Sequence, residues 1–524
     1  MPTLNWIGKD KVINHHLDVP FRTLVPSYSF GDAEATKDNL IIHGDNLEAL
    51  KALLPQYEGK VKLIYIDPPY NTGNEGWVYN DNVNDPKIKK WLGEVVGKEG
   101  EDLSRHDKWL CMMYPRLKLL QKLLREDGAI SISIDDVEHA HLKLICDEIF
   151  GINNFLANIV WQSKDTPGNN SSGIAETHNH ILLYRKSELC ELTLLTRDEK
   201  QLSTYINPDN DPRGNWLPTP LTRVEYRERD FYTIKNKVGD SVYPPQGSSW
   251  RRPPDEMKRL ENENRIWWGK SGDAKFPMEK KFLSEVKQGV VNQTWWPYNF
   301  GGSTRNASAE LKLLFGGNKA FETPKPIQLA TRIIQLLDDP DSIILDSFSG
   351  SGTTAHAVLK LNQEDGGHRK FIMIEMEDYA ETITAERVRR VINGYGAEGK
   401  EVPGTGGGFS YLTLGPAVFT AEGALNPEVE DEALRQYIWY AETKSALPAK
   451  KLKNKFHLGS AFGVSYYFYY IKGQETVLDF DFLKTVRDKD EQYVIYADSC
   501  TIDSEYLKSR NITFKKIPRD ISRY

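Results

Sequence analysis

The sequence has few of the residues that mark disulfide-stabilised and metal-binding proteins. Its 524 residues include only four cysteines, which are widely separated and lack any metal-like pairing with histidine: Cys111, Cys146, Cys190 and Cys500. We therefore expect reduced, buried thiols rather than a disulfide framework or a zinc site. The pairs His139-x-His141 and His178-x-His180 are interpreted as ordinary polar residues, so no bound metal is expected.

Long apolar runs are also missing, and so are the motifs of motors and nucleases. No stretch approaches the roughly 20 apolar residues that cross a bilayer, and residues 1–11 lack the apolar region of a signal peptide. We expect a cytoplasmic protein with no membrane partner. There is no Gly-x4-Gly-Lys-Ser/Thr loop and no convincing cluster of nuclease carboxylates, so the chain is not expected to drive a motor or to cut DNA by itself.

An overall positive charge is absent too, since the formal net charge is −7. The distribution is uneven, because residues 186–325 carry about 23 Lys and Arg against about 19 Asp and Glu. Half of the 12 tryptophans lie in the same span: Trp216, Trp250, Trp267, Trp268, Trp295 and Trp296. Aromatic residues between cations suit a nucleic-acid surface, and the alternative is a Trp-rich core beneath a solvated face.

What the sequence does contain is a short apolar strand that ends in a turn of unusual composition. Residues 61–66 are rich in β-branched and aromatic side chains and stop at Asp67-Pro68-Pro69-Tyr70, which predicts a buried parallel strand with Asp67 at its carboxyl end. Ligands of open α/β sheets bind at such strand ends. The prolines fix the backbone, Tyr70 offers a flat face and Asp67 a charge. Together these residues could hold a flat ring that carries an exocyclic amine.

Strands and helices alternate around this turn. Strands are predicted at 39–43, 129–134, 158–162 and 180–184, and helices after the candidate N-caps Asp45 or Asn46, at 107–124 and at 137–150. This alternation predicts a parallel doubly wound sheet. Residues 71–100 are rich in Gly, Asn and Asp and are expected to form a mobile loop over the site.

The same pattern returns after residue 321. Thr323 is a plausible cap for a helix at 327–337, and a strand at 343–345 is followed by a turn, Asp346 to Gly352, and a helix. The glycines permit a tight turn and a close approach of the backbone to a ligand. A further strand at 371–374 ends in Glu375, an acid that can accept hydrogen bonds from ribose hydroxyls.

Two of these motifs resemble those of one enzyme family. Residues 65–73, which read Tyr-Ile-Asp-Pro-Pro-Tyr-Asn-Thr-Gly, are similar to the catalytic motif of β-group DNA adenine-N6 methyltransferases, as found in the modification subunits of type III restriction-modification systems. Residues 343–354 resemble that family's S-adenosylmethionine loop, although Ser347 stands where Pro or Phe is frequent. The resemblance implies an α/β, Rossmann-like methyltransferase fold with a mostly parallel doubly wound sheet.

The resemblance also implies a reaction, the transfer of a methyl group from S-adenosylmethionine to N6 of a flipped-out adenine in double-stranded DNA. The implied catalytic residues are those of the first motif: Asp67 and Pro68 as acceptors for the amine, Pro69, and Tyr70 as the stacking ring. The implied cofactor-binding residues are Asp45, Lys325, Asp346, Phe348, Gly350, Gly352, Thr353 and Glu375. Asp45 could instead serve only as a helix cap.

The expected domain order follows the same resemblance. It comprises an irregular arm at 1–38, the catalytic half at 39–185, an inserted target-recognition domain at 186–321, the cofactor-binding half at 322–400, a linker at 394–408 and a C-terminal α+β domain at 409–524. The aromatic content of the last segment suggested dimerisation or docking of a partner.

The expected partners are double-stranded DNA, a second copy of the chain and a separate restriction subunit that supplies ATPase and nuclease activities. The alternatives are N4-cytosine methylation, which Asp rather than Ser at position 67 argues against, and a solitary adenine methylase without a restriction partner. A catalytically inactive DNA-binding subunit would need broken motifs. Methylases of RNA or of protein glutamine share the Pro-Pro-Tyr element, and the latter normally begin it with Asn.

Overall fold

The chain folds into two compact units, one formed by Met1–Thr193 and Gln293–Tyr524 and the other by Leu194–Asn292. The structure is a computed structural model that describes residues 3–72, 90, 94–95, 104–166, 173–197, 199–287, 289–448, 454–487 and 490–523. Most of the loop predicted at 71–100 lies outside these residues. Among the described helices, none combines the length and the apolar character needed to cross a membrane.

A ten-stranded sheet forms the centre of the first unit, with the order β1-β10-β2-β9-β8-β3-β4-β6-β5-β7. Its strands are β1 (Arg22–Gly31), β2 (Leu40–His43), β3 (Val61–Ile66), β4 (Leu124–Ile134), β5 (Phe155–Trp161), β6 (Asn179–Arg185), β7 (Trp295–Trp296), β8 (Ile343–Asp346), β9 (Lys370–Glu375) and β10 (Gly408–Ala417). Neighbouring strands from β10 to β4 are parallel, whereas β1 and β6 run antiparallel to their neighbours. The predicted doubly wound α/β sheet is confirmed.

Helices cover both faces of this sheet because parallel strands are joined by crossovers. The main ones are α1 (Asn46–Tyr57), α2 (Arg105–Leu123), α3 (Asp136–Phe150), α4 (Thr304–Leu314), α5 (Ile327–Gln335), α6 (Thr353–Asp365), α7 (Glu386–Asn393) and α8 (Asp431–Thr443). Alternate residues of β3 enter opposite cores, with Ile64 and Ile66 packing with α1–α3 and Leu63 and Tyr65 packing with α4–α7. The helix α5 begins after Pro326, so the prediction of Thr323 as its cap was wrong.

At the two ends of the chain the structure differs from the predicted segments 1–38 and 409–524. The arm at 1–38 contains short helices, Lys9–Val12 and His15–Asp18, and the strand β1, which pairs with β10 at the edge of the sheet. An edge strand needs no continuous apolar run and tolerates a proline such as Pro26, so the sequence pattern gave little sign of it. Likewise, residues 408–417 do not open a separate C-terminal domain, because β10 lies between β1 and β2 in the central sheet.

The second unit is smaller than the predicted recognition domain at 186–321, because β7 and α4 belong to the first unit. It holds strands Trp216–Pro220, Thr222–Arg223, Ile234–Lys235, Ser241–Val242, Ser249–Trp250, Ile266–Trp267 and Met278–Phe282, and helices Glu199–Leu202 and Pro254–Asn262. Its tryptophans mostly form a core, since Trp216, Trp250 and Trp268 are buried. The expectation that they line a nucleic-acid surface was therefore wrong for these three.

The C-terminal part carries a four-stranded sheet, His457–Ala461, Val464–Phe468, Gln492–Ala497 and Ile512–Lys516, a strand pair, Val477–Leu478 with Ser499–Cys500, and two short helices, Phe480–Leu483 and Ser504–Ser509. The helix α8 covers one face of this sheet with Tyr437 and Trp439. Its Tyr440 instead enters the core of α1–α3 and donates a hydrogen bond to Glu58. These aromatic side chains are packed in cores of the chain. The aromatic content of the C-terminal segment therefore no longer supports the prediction of a docking surface there.

Candidate active site

The site lies where the winding of the sheet reverses. The strands β3 and β8 are neighbours, with Ile344 opposite Leu63 and Leu345 opposite Ile64. From β3 the chain continues towards β4 on one side, and from β8 it continues towards β9 on the other. A crevice forms outside the carboxyl ends of two such strands, and it is the usual ligand site of open α/β sheets. Asp67 and Asp346 stand at these two strand ends.

A cleft is lined by residues of both predicted motifs. Asp67 lines it from the catalytic motif, and five of the predicted cofactor-binding residues line it as well: Lys325, Asp346, Phe348, Gly350 and Thr353. The structure therefore brings together residues that are separated by more than 250 positions in the sequence. Gly352 follows in the same turn, whereas Asp45 and Glu375 lie outside the lining of the cleft.

The turn after β8 is held by its own backbone and by Asp346. The carboxylate of Asp346 accepts hydrogen bonds from the Phe348 amide at 3.0 Å and from the Thr354 hydroxyl at 2.6 Å. Burial raises the pKa of Asp346 to about 7. Gly350 and Gly352 have φ angles of 51° and 81°, in the left-handed region that side chains disfavour. The conformation of this turn is therefore set by residues that lie close together in the chain.

Glu375 and Asp45 both accept hydrogen bonds from backbone amides of the chain. Glu375, at the end of β9, accepts hydrogen bonds from the backbone amides of Gly350 at 2.8 Å and Glu377 at 3.0 Å, and burial raises its pKa to about 8. Asp45 caps α1 by accepting from the amides of Leu47 and Glu48, as the sequence predicted. Both residues shape the edge of the sheet beside the cleft, and a direct role at the cofactor stays a prediction.

Lys325 lies on the catalytic motif. Its ammonium group donates a hydrogen bond to Oδ2 of Asp67 and stands 4.9 Å from the centre of the Tyr70 ring. The other carboxylate oxygen of Asp67, Oδ1, is buried and accepts no hydrogen bond from the described residues. Burial, reinforced by the charge of Asp67, raises the pKa of Tyr70 well above its usual range, so the ring is a neutral phenol. The contact of Lys325 with Asp67 was not predicted from the sequence.

Sequence reasoning also missed the residues that hold the catalytic motif from outside. The indole Nε1 of Trp109 on α2 donates to the carbonyl of Pro69 at 2.6 Å. The amide of Asn71, directly after the motif, donates to the carboxylate of Glu138 on α3. Because the carbonyl of Pro69 is engaged, that of Pro68 remains the motif carbonyl assigned to the target amine.

Comparison with known proteins agrees with this geometry, since residues 61–386 match the family described as DNA methylase. The chain belongs to the DNA methylase family. It is 36% identical over 395 residues to the Mod subunit of the type III restriction-modification enzyme StyLTI from Salmonella typhimurium, covering 71% of this chain and 58% of that relative. It is 33% identical to the EcoP15I Mod subunit from Escherichia coli, covering 72% and 64%.

This methylase therefore spans less than two thirds of the length of these relatives. Among solved structures, it is similar to PvuII DNA methyltransferase, described as cytosine-N4-specific, at 14% identity and a TM-score of 0.36, covering 69% of this chain and 88% of that one.

Two buried arginines support the cofactor half of the methylase. Arg387 on α7 donates to the hydroxyls of Ser351 at 3.0 Å and Thr353 at 2.8 Å, so it holds the start of α6. Arg116 on α2 donates to the side chain of Asn46, whose own amide donates to the carbonyl of Ser347 at 3.0 Å. These contacts tie the turn after β8 to the helices on both faces of the sheet.

Among the residues that the structure describes, histidines and carboxylates form two clusters. One comprises His106, Glu138 and His141, and the other comprises Asp136, His178 and His180. In the second cluster, Nε2 of His180 lies 2.8 Å from Asp136, which is more than half exposed. The sequence interpretation of these histidines as polar residues fits such pairing.

Proposed function

We propose that this chain transfers a methyl group from S-adenosylmethionine to the N6 amine of adenine in double-stranded DNA, as the modification subunit of a type III restriction-modification system. One observation carries the proposal: Asp67 of the catalytic motif, at the end of β3, and the glycine turn at the end of β8 line the same cleft. The relatives at 33% and 36% identity are named as Mod subunits of such systems, which supports it.

The residues of the cleft fit S-adenosylmethionine. The acidic side chain of Asp346 suits a cleft that receives a sulfonium cation, and Lys325 suits a carboxylate. The helices α5 and α6 begin without a side-chain cap, so their first amides can also bind a carboxylate. When bound, the cofactor supplies a methyl group that its positive sulfur has already activated.

The amine of adenine is a poor nucleophile because its lone pair is delocalised into the ring. Hydrogen bonds from the amine to Oδ1 of Asp67 and to the carbonyl of Pro68 favour a more pyramidal nitrogen and stabilise the positive charge that develops on it. Lys325 keeps Oδ2 occupied and so orients the carboxylate towards the base. The flat face of Tyr70 stacks on the flipped base.

Digestion of methylated DNA to nucleosides tests this proposal. The purified chain should incorporate label from S-adenosylmethionine into DNA, and the labelled nucleoside should be N6-methyladenosine in its deoxy form. Labelled N4-methylcytosine alone would replace the proposed substrate by cytosine. Cofactor binding without any transfer to a complex DNA mixture would indicate an inactive subunit.

We place target recognition in the unit Leu194–Asn292. Three exposed aromatic side chains lie together there, with 5.5 Å between the rings of Tyr226 and Phe231 and 6.4 Å between those of Phe231 and Tyr243. The exposed Arg227 and Arg229 flank them. Aromatic rings beside cations suit contact with bases and phosphates. Exchanging this unit with that of a relative should change the methylated sequence and preserve N6 chemistry; an unchanged target would place recognition elsewhere.

The proposed partners are DNA, a second copy of this chain and a separate restriction subunit, in the cytoplasm. Light scattering at micromolar concentration should give a dimer, and a fully active monomer would contradict pairing. The purified chain should methylate DNA and leave it uncut. Addition of a restriction subunit from a type III system should bring ATP-dependent cleavage if the partner surface is present.

A further inference from the structure

A completely buried carboxylate lies behind the catalytic motif. Glu138, in the first turns of α3, is 0% exposed. Its Oε1 accepts hydrogen bonds from the amide of Asn71 and from Nδ1 of His106 at 2.7 Å, and its Oε2 accepts from Nδ1 of His141 at 2.7 Å. A buried charge is tolerated only when it is well hydrogen-bonded. Three donors satisfy this requirement, and one of them follows directly after Tyr70.

Asn71 has a strained geometry that needs outside support. Its φ angle is 60°, in the left-handed region, where Asn is tolerated better than other residues with a side chain. Its side chain is buried, and the amide donates to the carbonyl of Arg105 at 3.2 Å as well as to Glu138. The two hydrogen bonds fix the direction in which the backbone leaves the catalytic motif.

The cluster has the composition of a two-histidine, one-carboxylate zinc site, but its distances are those of hydrogen bonds. Two ligands of one tetrahedral zinc ion, each about 2.0–2.1 Å from the metal, lie roughly 3.3 Å apart. Each histidine nitrogen here lies 2.7 Å from a carboxylate oxygen. The carboxylate also accepts from Asn71, whose amide would be left without this partner if a metal took the oxygen.

We propose that Glu138 is a positioning residue for methyl transfer. Its carboxylate fixes Asn71, and through Asn71 it fixes the backbone of Pro68, Pro69 and Tyr70 in the geometry that receives the target base. This inference rests on the proposed function. Glu138 is not among the residues that line the cleft, so its effect on the reaction is indirect.

The test weakens the support that Glu138 gives to Asn71. Glu138→Gln leaves one acceptor oxygen for the three donors Asn71, His106 and His141 and removes the buried charge, and single-turnover methylation should slow roughly 10- to 100-fold, because small displacements of reacting groups are costly. The affinity for S-adenosylmethionine, measured by calorimetry, should change less than twofold. In the double variant Asn71→Gly with Glu138→Gln, the rate should be no lower than that of the slower single variant, because both changes break the same contact.

Glu148→Gln is the matched control. This carboxylate lies on the same helix and accepts a hydrogen bond at 2.8 Å from Tyr114 of α2, but it does not contact the catalytic motif. It should leave the rate within twofold of wild type. Amide hydrogen exchange of residues 70–72, which needs no activity, should increase in Glu138→Gln and not in Glu148→Gln.

Three results would overturn the inference: an unchanged rate in Glu138→Gln, rate losses of the two single variants that multiply in the double variant, or unchanged exchange at residues 70–72. Retention of zinc by the purified chain, lost in Glu138→Gln, would replace positioning by metal binding. If the wild type does not methylate adenine but the exchange difference is found, the proposed function fails and the positioning of the motif by Glu138 stands.

Discussion

The two strand ends that form the cleft are stabilised in different ways. The conformation of the turn after β8 is set from within, by two glycines with positive φ and by Asp346, while Glu375, Arg387 and Asn46 tie the turn to neighbouring elements. The motif after β3 is held from outside, by side chains from two helices and one loop: Trp109, Glu138 and Lys325. Substitutions at the first end should therefore change cofactor affinity, and those at the second should change the rate of transfer.

The largest expected effect is that of Asp67→Asn. The amide keeps the shape of the carboxylate but removes the charge that stabilises the developing positive nitrogen, so single-turnover methylation should fall by about 100- to 1,000-fold. Calorimetry should find nearly unchanged affinity for S-adenosylmethionine. Asp127→Asn is the control, because Asp127 also pairs with a lysine, Lys62 at 3.0 Å, away from the cleft. A tenth of the wild-type rate in Asp67→Asn would contradict the assigned role.

The next effect concerns the turn after β8. A Cβ at Gly350 would lie 3.3 Å from Cζ of Phe321, which also lines the cleft, and φ would be strained. Gly350→Val should therefore weaken cofactor binding at least tenfold. Gly366 has a similar φ of 73° at the end of α6, with open space around it, so Gly366→Val controls for backbone strain alone. Equal affinities in the two variants would remove the distinction between the strand ends.

The parts of the fold and of the site that could be predicted from the sequence depend on local patterns. The strand β3, the turn after β8 and the cap at Asp45 each depend on residues that are close in the chain, and all three were predicted. The strand, glycine turn and helix that begin at Ile343 were predicted correctly because they follow each other directly in the chain.

The residues that were missed depend on contacts between distant parts of the chain. Trp109 and Glu138 lie 40 and 67 positions from the motif residues they hold, and each looks like an ordinary helical residue in the sequence. Lys325 lies 258 positions from Asp67, so no spacing rule could pair them. The edge strand β1 was missed for the same reason, since its partner β10 is almost 400 residues away.

A smaller effect should appear in the pH dependence of stability. Burial raises the pKa of Glu375 to about 8 in the folded protein, above its value in the unfolded chain. The folded state then keeps a proton that the unfolded state releases, so stability falls as pH rises from about 4 towards 8. Glu375→Gln removes this dependence. As pH rises from 5 to 8, the variant should become more stable relative to the wild type by on the order of 1 kcal/mol of unfolding free energy per pH unit.

Melting of the cofactor-free proteins across this range measures the difference. Asp481→Asn is the control, because the pKa of this exposed carboxyl is lowered by Lys484 rather than raised by burial. The free energy of unfolding of Asp481→Asn, relative to that of the wild type, should not increase with pH. A flat difference for Glu375→Gln would mean that Glu375 is ionised in the folded state and that the turn is not held by a buried, proton-retaining acid.

The smallest effect is expected for Trp109→Phe, which removes one outside support of the catalytic motif. Trp161→Phe is a closely matched control, since both indoles are 0% exposed and both donate to a backbone carbonyl, Trp109 to Pro69 at 2.6 Å and Trp161 to Gly302 at 2.9 Å. Each variant leaves a carbonyl without its donor, so both should lose about 1–3 kcal/mol of stability. Only Trp109→Phe should also slow single-turnover methylation, by roughly 2- to 5-fold, because only its carbonyl belongs to the motif. Equal rates in the two variants would mean that the motif keeps its geometry without this hydrogen bond, and that Asn71 and Lys325 alone support it.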